Sequence, residues 1–246
     1  MEKVLELYKE EGETPLETIE RFKKENPVYK DEKMTYAGRL DPMAQGVLLV
    51  LVGEECKNKD KYLGLGKEYE FEILWGFKTD TYDILGIPKF HSNSVTVDST
   101  VTGLLEDLVG KFNQKYPPYS SMTVEGKQLF QWAREGRLDE IKIPEREVEV
   151  YDIEFLGQRE VNGKDLLNNI KERISKVKGD FRQNQILEEW EKILSKNREV
   201  HFPILKVKIK CSSGTYVRGI ANELGEKIGV SSLAFSIKRT GILSFY

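Results

Sequence analysis

The sequence has few of the residues that metal sites and disulfide frameworks need. Cys56 and Cys211 are its two cysteines, they lack C-x-x-C spacing, and only two histidines accompany them. A structural zinc site takes four such ligands, and small disulfide-rich domains use several cysteine pairs. We therefore predict neither a bound metal nor a disulfide scaffold.

Long apolar runs and phosphate-binding glycine motifs are missing as well. The longest apolar run, residues 47–52, has six residues, whereas a membrane helix needs about 20. The N-terminal residues lack the apolar segment of a secretory signal. Gly64-x-Gly66 continues to Tyr69 where a dinucleotide-binding motif requires a third glycine. These absences predict a cytoplasmic protein without membrane spans that uses neither NAD nor a nucleoside triphosphate.

The sequence does contain clear strand and helix patterns. Residues 67–76 alternate between charged and large apolar side chains, and residues 47–52 have the continuous branched character of a strand buried on both faces. A highly charged helical segment at about 158–200 lies between two further strand patterns. A length of 246 residues is compatible with a single domain of mixed class. We therefore predict one domain over residues 1–246, with a helical insertion at about 158–200.

Charge is unevenly distributed along the chain. The formal net charge is −3, which argues mildly against a nucleic-acid-binding protein. Residues 201–246, however, contain seven Lys and Arg against two Glu, so this stretch carries 7 − 2 = +5. We predict from it a basic face that is available to RNA.

Four blocks of sequence hold the residues that could carry chemistry. The first, GRLDPMAQGVLLVLVGEECK, places Asp41 between glycines and ahead of the buried strand. From local sequence alone, Asp41 would be a turn or helix-capping residue. The other blocks are, in order, GKEYEFEILWGFKTDTYDILG, PPYSSMTVEGKQLFQWAREG and CSSGTYVRGIANELGEKIG. In sequence and in order, the four blocks resemble the motifs of the TruB family of pseudouridine synthases.

The resemblance covers residues near 4–150 and 205–242 and implies a fold and a reaction. The implied fold is an α+β pseudouridine synthase fold, with a mixed, mainly antiparallel central sheet flanked by helices. In the family, the aspartate of Leu-Asp-Pro attacks the nucleoside, and Asp41 occupies that position. Arg218, in the Gly-Thr-Tyr-x-Arg motif, is expected to hold Asp41 ionised through a forked contact. Tyr69 is expected to stack on the flipped base and is a candidate for proton transfer.

The resemblance also assigns residues to substrate binding. Asp83 is expected to accept a hydrogen bond from the uracil edge or from polar neighbours, and Ile237 to close the pocket. Lys57, 16 residues after Asp41, is expected to support the loop or the RNA backbone. Tyr36 and Arg39 precede the nucleophile and are assigned to RNA binding. For each of these residues the alternative is a structural or surface role.

Two departures from the family pattern bear on the substrate. Tyr36 stands where TruB members usually carry a histidine, and Thr123 replaces a lysine that usually follows the Tyr-Ser-Ala-Leu segment. Tyr36 could still stack on an extruded nucleotide. Many relatives append a small C-terminal RNA-binding domain, whereas this sequence ends soon after its last predicted strand.

The resemblance implies an isomerase that acts on the T-loop uridine of tRNA. The expected partner is therefore the T-arm stem-loop, with the protein a monomer. No cofactor is expected, because the reaction is a redox-neutral isomerisation. Three alternatives remain open: a synthase for another stem-loop RNA, a non-catalytic tRNA-folding chaperone, and a glycosidase. The last would need a second carboxylate across the scissile bond, and the sequence shows none paired with Asp41.

Overall fold

A computed structural model describes residues 2–91 and 99–243, with the side chains of all of these except 99, 100 and 102. Its strands are β1 Val4–Lys9, β2 Met34–Ala37, β3 Ala44–Val52, β4 Gly66–Trp75, β5 Phe77–Thr79, β6 Pro88–Phe90, β7 Gly110–Lys115, β8 Thr123–Val124, β9 Lys127–Gln128, β10 Glu145–Asn162, β11 His201–Cys211 and β12 Ser232–Leu243. Its α-helices are α1 Pro15–Glu25, α2 Lys59–Leu63, α3 Ser99–Glu106, α4 Leu129–Arg134, α5 Gly163–Ser175, α6 Gln183–Leu194 and α7 Val217–Lys227.

Eight strands form the central sheet. Its order is β1-β3-β12-β4-β11-β10-β7, and β2 pairs with the free side of part of β3. Every pairing is antiparallel except that of β12 with β3. The predicted mixed, mainly antiparallel sheet flanked by helices is therefore confirmed. Within the described residues, no helix is both long enough and apolar enough to cross a membrane.

The sequence patterns explain why these elements form. Along β4, Tyr69, Phe71 and Ile73 are buried while the glutamates between them are partly exposed, which is the period of a strand with one face in the core. Helix α1 begins at a capping box, in which the Thr14 side chain and the Glu17 side chain each bond the other's backbone N–H. Such a box satisfies two of the N–H groups that a helix start leaves unpaired.

Two helices lie within the predicted insertion at about 158–200, but they begin at Gly163 and not near residue 158. Strand β10 continues to Asn162, and helices begin only at Gly163. The chain bulges near Gly157, where the pairing register with β11 shifts, and pairing then resumes through Asn162 opposite His201. The end of β10 is largely exposed, so its side chains are charged and do not show the alternation that predicts a strand. We call α5, α6 and their connection, residues 163–194, the inserted hairpin.

The inserted hairpin shares its core with the sheet. Its buried Ile170, Ile186 and Trp190 belong to one hydrophobic cluster with Phe77 of β5 and Phe202 of β11. The Trp190 and Phe202 rings lie 5.1 and 4.8 Å from the Phe77 ring, between centroids. Aromatic contacts of this kind favour one fixed arrangement of the packed elements.

A nearly buried ion pair also fastens the hairpin to the loop after β1. Arg173 of α5 donates to both carboxylate oxygens of Glu11 at 2.6 to 3.0 Å, and the two side chains are 9% and 11% exposed. Removing one member of such a pair leaves the other charge desolvated without a partner.

We expect the substitution Arg173→Met to lower the free energy of unfolding by about 3 kcal/mol, because it strands the Glu11 carboxylate. The matched control is Lys171→Met on the same helix, whose pair with Glu191 is 40% and 56% exposed and should contribute less than about 1 kcal/mol. Urea unfolding followed by circular dichroism measures both. Equal losses in the two variants would contradict the structural role assigned to Arg173.

Candidate active site

Asp41 lies in the short loop that joins β2 to β3. The loop begins at Gly38, whose φ of +84° suits glycine, and it closes with a hydrogen bond from the Ala44 N–H to the Asp41 carbonyl at 3.0 Å. The Asp41 side chain is 33% exposed. The carboxylate is therefore fixed to a core strand and still open to a substrate.

Arg218 lies in the first turn of α7 and is directed by the way that helix begins. The Gln114 side chain of β7 bonds both the N–H and the carbonyl of Tyr216, at 2.8 and 3.0 Å. Tyr216 is extended, and helix α7 starts at the next residue. Arg218 is 3% exposed, so its guanidinium has few solvent molecules to bond and depends on protein acceptors.

Three separate segments of the chain supply those acceptors. The Arg218 Nε donates to the Asp41 Oδ2 at 2.8 Å, and its two terminal nitrogens donate to the carbonyls of Thr81 and Tyr119 at 2.8 and 2.9 Å. Burial disfavours the charged form of Arg218, but the Asp41 and Asp83 carboxylates outweigh it and raise the pKa of this arginine. The Asp41 side chain is thereby held by a permanent cation.

Tyr69 and Ile237 form the apolar side of the site. Tyr69 lies on β4 and Ile237 on the neighbouring β12, and both belong to a buried cluster with Leu40 and Ala44 from the Asp41 loop. Burial raises the pKa of the Tyr69 phenol, although the nearby Arg239 guanidinium opposes the shift. The phenol therefore stays protonated at neutral pH and presents its ring beside the Asp41 loop.

Asp83 lies in the Thr-Asp-Thr-x-Asp loop, two residues after Thr81, whose carbonyl binds Arg218. Its Oδ1 accepts hydrogen bonds from the Thr81 hydroxyl at 2.7 Å and from the Leu85 N–H at 3.0 Å. Asp83 is 6% exposed, and this burial raises the pKa of the carboxyl to about 6, against the opposing effect of Arg218. The geometry thus brings Asp41, Tyr69, Asp83, Arg218 and Ile237 to one region.

The structure does not bring the remaining three predicted residues into that cluster. Tyr36 lies on β2, and its hydroxyl accepts a 3.3 Å bond from the exposed Arg39. Lys59 lies 5.2 Å from the centre of the Tyr36 ring. Lys57 is exposed and pairs with Glu54 on its own turn. Tyr36 and Arg39 precede Asp41 in the chain, Lys57 follows the other end of β3, and the RNA contacts of all three residues stay a prediction.

Sequence reasoning missed a group of buried cations that bind backbone carbonyls in and around the Asp41 loop. Lys9, which is fully buried, donates to the Ala44 carbonyl at 2.6 Å. Arg239, 1% exposed, donates to the carbonyls of Val47 and Gly38 at 2.6 and 3.2 Å. The nearby Lys67 is also buried, and it donates to the carbonyls of residues 63 and 65.

The alternation of the strands held the signal for these cations. Lys67 shares the inward face of β4 with Tyr69, and Arg239 shares the inward face of β12 with Ile237. A charged residue at an inward position is rarely a plain surface residue. The inward position of Lys67 and of Arg239 in the strand alternation could therefore have identified both as buried cations.

The predicted basic face of residues 201–246 is wrong. Lys206 and Lys208 pair with glutamates of β4, and Lys210 pairs with Asp152 of β10. Arg218 and Arg239 are buried. Most of the positive charge of this stretch is therefore neutralised by neighbouring strands or directed into the site, which a count along the chain does not show.

Comparisons with known proteins identify the family of the chain. The sequence profile described as "TruB family pseudouridylate synthase (N terminal domain)" matches residues 26–181. The protein named "tRNA pseudouridine synthase B" from Ligilactobacillus salivarius is 30% identical over 241 residues, which is 97% of this chain and 67% of the relative. The protein of the same name from Borreliella afzelii is 30% identical over 234 residues, 95% of this chain and 67% of its own length. The chain thus spans about two thirds of the length of these relatives.

Solved structures are similar in fold. A chain of the structure titled "Crystal Structure of a Cbf5-Nop10-Gar1 Complex" aligns with a TM-score of 0.58 at 18% identity, over 98% of this chain and 48% of that chain. This likeness confirms the predicted α+β pseudouridine synthase fold. Together with the profile match over most of the sequence blocks, it confirms the family resemblance: the chain belongs to the TruB family of pseudouridylate synthases.

Proposed function

We propose that this protein isomerises the T-loop uridine of tRNA, position 55, to pseudouridine, with Asp41 as the essential carboxylate. The observation that carries the proposal is the 2.8 Å contact between the Asp41 carboxylate and the buried Arg218. A nucleophilic carboxylate must remain ionised in a site that is partly shielded from water, and a fixed guanidinium meets that requirement. The relatives named tRNA pseudouridine synthase B support tRNA as the substrate.

The proposed reaction needs no redox partner. Asp41 attacks the nucleoside while the glycosidic C–N bond breaks and the uracil takes up its electron pair. The uracil then turns, and its C5 forms a C–C bond to the ribose as the aspartate leaves. C5 gives up its proton to solvent and N1 takes one up, so the product has the same atomic composition as the substrate. No external electron donor or metal enters this balance.

The other side chains of the site fit tasks in this sequence. Tyr69 offers an aromatic floor for a base that has left its stack, and Ile237 closes the same side. Asp83 and Arg218 fix the polar side. Tyr36, with Arg39 bonded to its hydroxyl, presents a ring on which an extruded nucleotide could stack. Lys57, which is exposed, is assigned to the RNA backbone.

We further propose that residues 1–246 act as one catalytic domain and as a monomer in the cytoplasm, with the T-arm stem-loop as the part of tRNA that is bound. The shared hydrophobic cluster of the inserted hairpin and the sheet supports the single domain. A different stem-loop RNA is the second candidate substrate, because Tyr36 stands where relatives usually carry histidine.

We expect purified protein to convert the T-loop uridine of an unmodified T-arm stem-loop, and Asp41→Asn to slow the conversion by at least about 10⁴-fold, the scale on which loss of a covalently reacting group acts. Carbodiimide treatment and primer extension locate the product. Asp60→Asn, which changes an exposed aspartate of α2, is the matched control and should keep full activity.

Other outcomes of that experiment separate the candidates. Conversion of a different stem-loop RNA, with none at the T-loop, would replace the substrate and leave the role of Asp41 intact. Tight binding of tRNA without conversion by the wild-type protein would reject the enzyme and favour a tRNA-folding chaperone. Unimpaired conversion by Asp41→Asn would reject the assigned nucleophile.

The buried Asp83 predicts a pH dependence of stability. Its pKa of about 6 in the folded protein exceeds the ordinary value of 3.8, so the folded state retains the proton that the unfolded state has lost between these values. Its contribution to the free energy of unfolding therefore falls as pH rises from about 4 to 7, by about 3 kcal/mol. Relative to wild type, Asp83→Asn should gain that amount over the same range in urea unfolding. Parallel pH profiles of the two proteins would show that Asp83 does not titrate this way.

A further inference from the structure

The inserted hairpin reaches the segments around Asp41 from three directions. Arg173 of α5 binds Glu11, and Gly12 beside it donates from its N–H to the carbonyl of Pro42, the residue after Asp41, at 2.9 Å. The indole N–H of Trp190, on α6, donates to the carbonyl of Ile84 at 3.2 Å. The third contact is made by Arg182, which binds the two segments whose carbonyls accept hydrogen bonds from Arg218.

Arg182 holds two segments of the site together. Its Nη1 donates to the Oδ2 of Asp80 at 2.8 Å, and its guanidinium carbon lies 4.4 Å from the centre of the Tyr119 ring. The other carboxylate oxygen of Asp80 accepts the Ile87 N–H at 2.8 Å. One planar cation therefore bonds the carboxylate on one segment and stacks on the ring of the other.

The same two segments supply the carbonyls that hold Arg218. Tyr119 itself accepts from one terminal nitrogen of Arg218, and Thr81, adjacent to Asp80, accepts from the other. A shift of either segment would change the direction of the guanidinium and with it the contact to Asp41. A chain of direct contacts thus links Arg182 to Asp41.

The backbone of Arg182 strengthens this interpretation. Its φ is 64° and its ψ 26°, the left-handed region that residues with a Cβ adopt at a cost. The residue stands at the N-terminal cap of α6 and makes no side-chain cap hydrogen bond, so a glycine or asparagine would suit the position better on local grounds. The side-chain contacts to Asp80 and Tyr119 stabilise the folded state and offset the conformational energy of the left-handed backbone.

Asp180, two residues before Arg182, joins the turn of the inserted hairpin to helix α4. Arg134 of α4 donates to its carboxylate at 3.1 Å and to its carbonyl at 2.6 Å. The turn that carries Arg182 is therefore held on both sides. A rigid support of this kind is what precise positioning of a reacting group requires.

We propose that Arg182 is a positioning residue for the isomerisation, and that the inserted hairpin is a support of the active site through it. The inference rests on the proposed function, because it assigns Arg182 a task in that reaction. Arg182 orients Arg218, and through Arg218 the attacking oxygen of Asp41. It contacts neither the base nor the ribose.

The test compares Arg182→Gly with Lys178→Ala under single-turnover conditions on the T-arm stem-loop, or on whichever RNA the wild-type protein converts. Glycine removes the side chain and accepts the left-handed backbone, so the fold is preserved. We expect the rate constant at saturating RNA to fall by about 10- to 100-fold, as displacement of a reacting group by about 1 Å does, and the Kd for RNA to change less than about twofold. Lys178→Ala removes one positive charge from the same turn, where Lys178 pairs with Glu17, and should leave both quantities unchanged.

Hydrogen exchange of the free protein provides a second measurement that needs no turnover. In Arg182→Gly the backbone amides of residues 80–87 and 119–122 should exchange faster than in the wild type, and those of β4 should not. Unchanged exchange together with an unchanged rate constant overturns the proposal. A raised Kd with an unchanged saturating rate also overturns it, because Arg182 would then be an RNA contact. If the wild-type protein converts no RNA, the proposed function fails, and the exchange data alone decide whether Arg182 holds the two segments.

Discussion

The arrangement of the active site depends on the hydrogen bonds that one buried guanidinium, that of Arg218, must make. Arg218 is almost completely withdrawn from water, so each of its donors must find a partner inside the protein. The partners come from the loop before β3, from the loop after β5 and from the segment after β7. Because a single side chain joins all three, the position of Asp41 is coupled to the other two segments through Arg218.

Other buried cations extend this arrangement beneath the same loop. Burial lowers the pKa of Lys9 and of Lys67 to about 8, and Arg239 lies beside them with backbone carbonyls as its acceptors. Carbonyl oxygens stabilise these cations without neutralising them. Buried cations therefore lie around the loop that carries Asp41. The chain as a whole is acidic, whereas these buried positive charges are gathered around one loop.

Much of the fold and of the central site could be predicted from sequence, for identifiable physical reasons. Alternation along β4 reflects one face in the core, whereas Asp41, Tyr69 and Arg218 were assigned from the resemblance of their motifs to those of the family. The same period would have placed Lys67 on the inward face. The inner boundary of the insertion was missed because β10 beyond Asp152 is an exposed strand whose charged residues do not alternate with buried ones.

Contacts between distant segments were beyond the reach of sequence patterns. Lys206 and Lys208 are neutralised by glutamates more than a hundred residues away, so a local count of charge overstated the basic surface. Arg182 and Asp80 are likewise 102 residues apart, and nothing in either local sequence indicates the other. Such pairings become visible only when the sheet and the hairpin are assembled.

The position of β12 has a consequence for how the protein is made. This last strand lies between β3 and β4, parallel to the first and antiparallel to the second, so it joins the two halves of the sheet. A ribosome that has synthesised everything before Ser232 has produced both halves without the strand that unites them. The final closure brings together segments separated by most of the chain, which is entropically costly and slow. A chain that stops before Ser232 therefore carries Asp41, Tyr69 and Arg218 but lacks Ile237 and the strand that joins the two halves of the sheet.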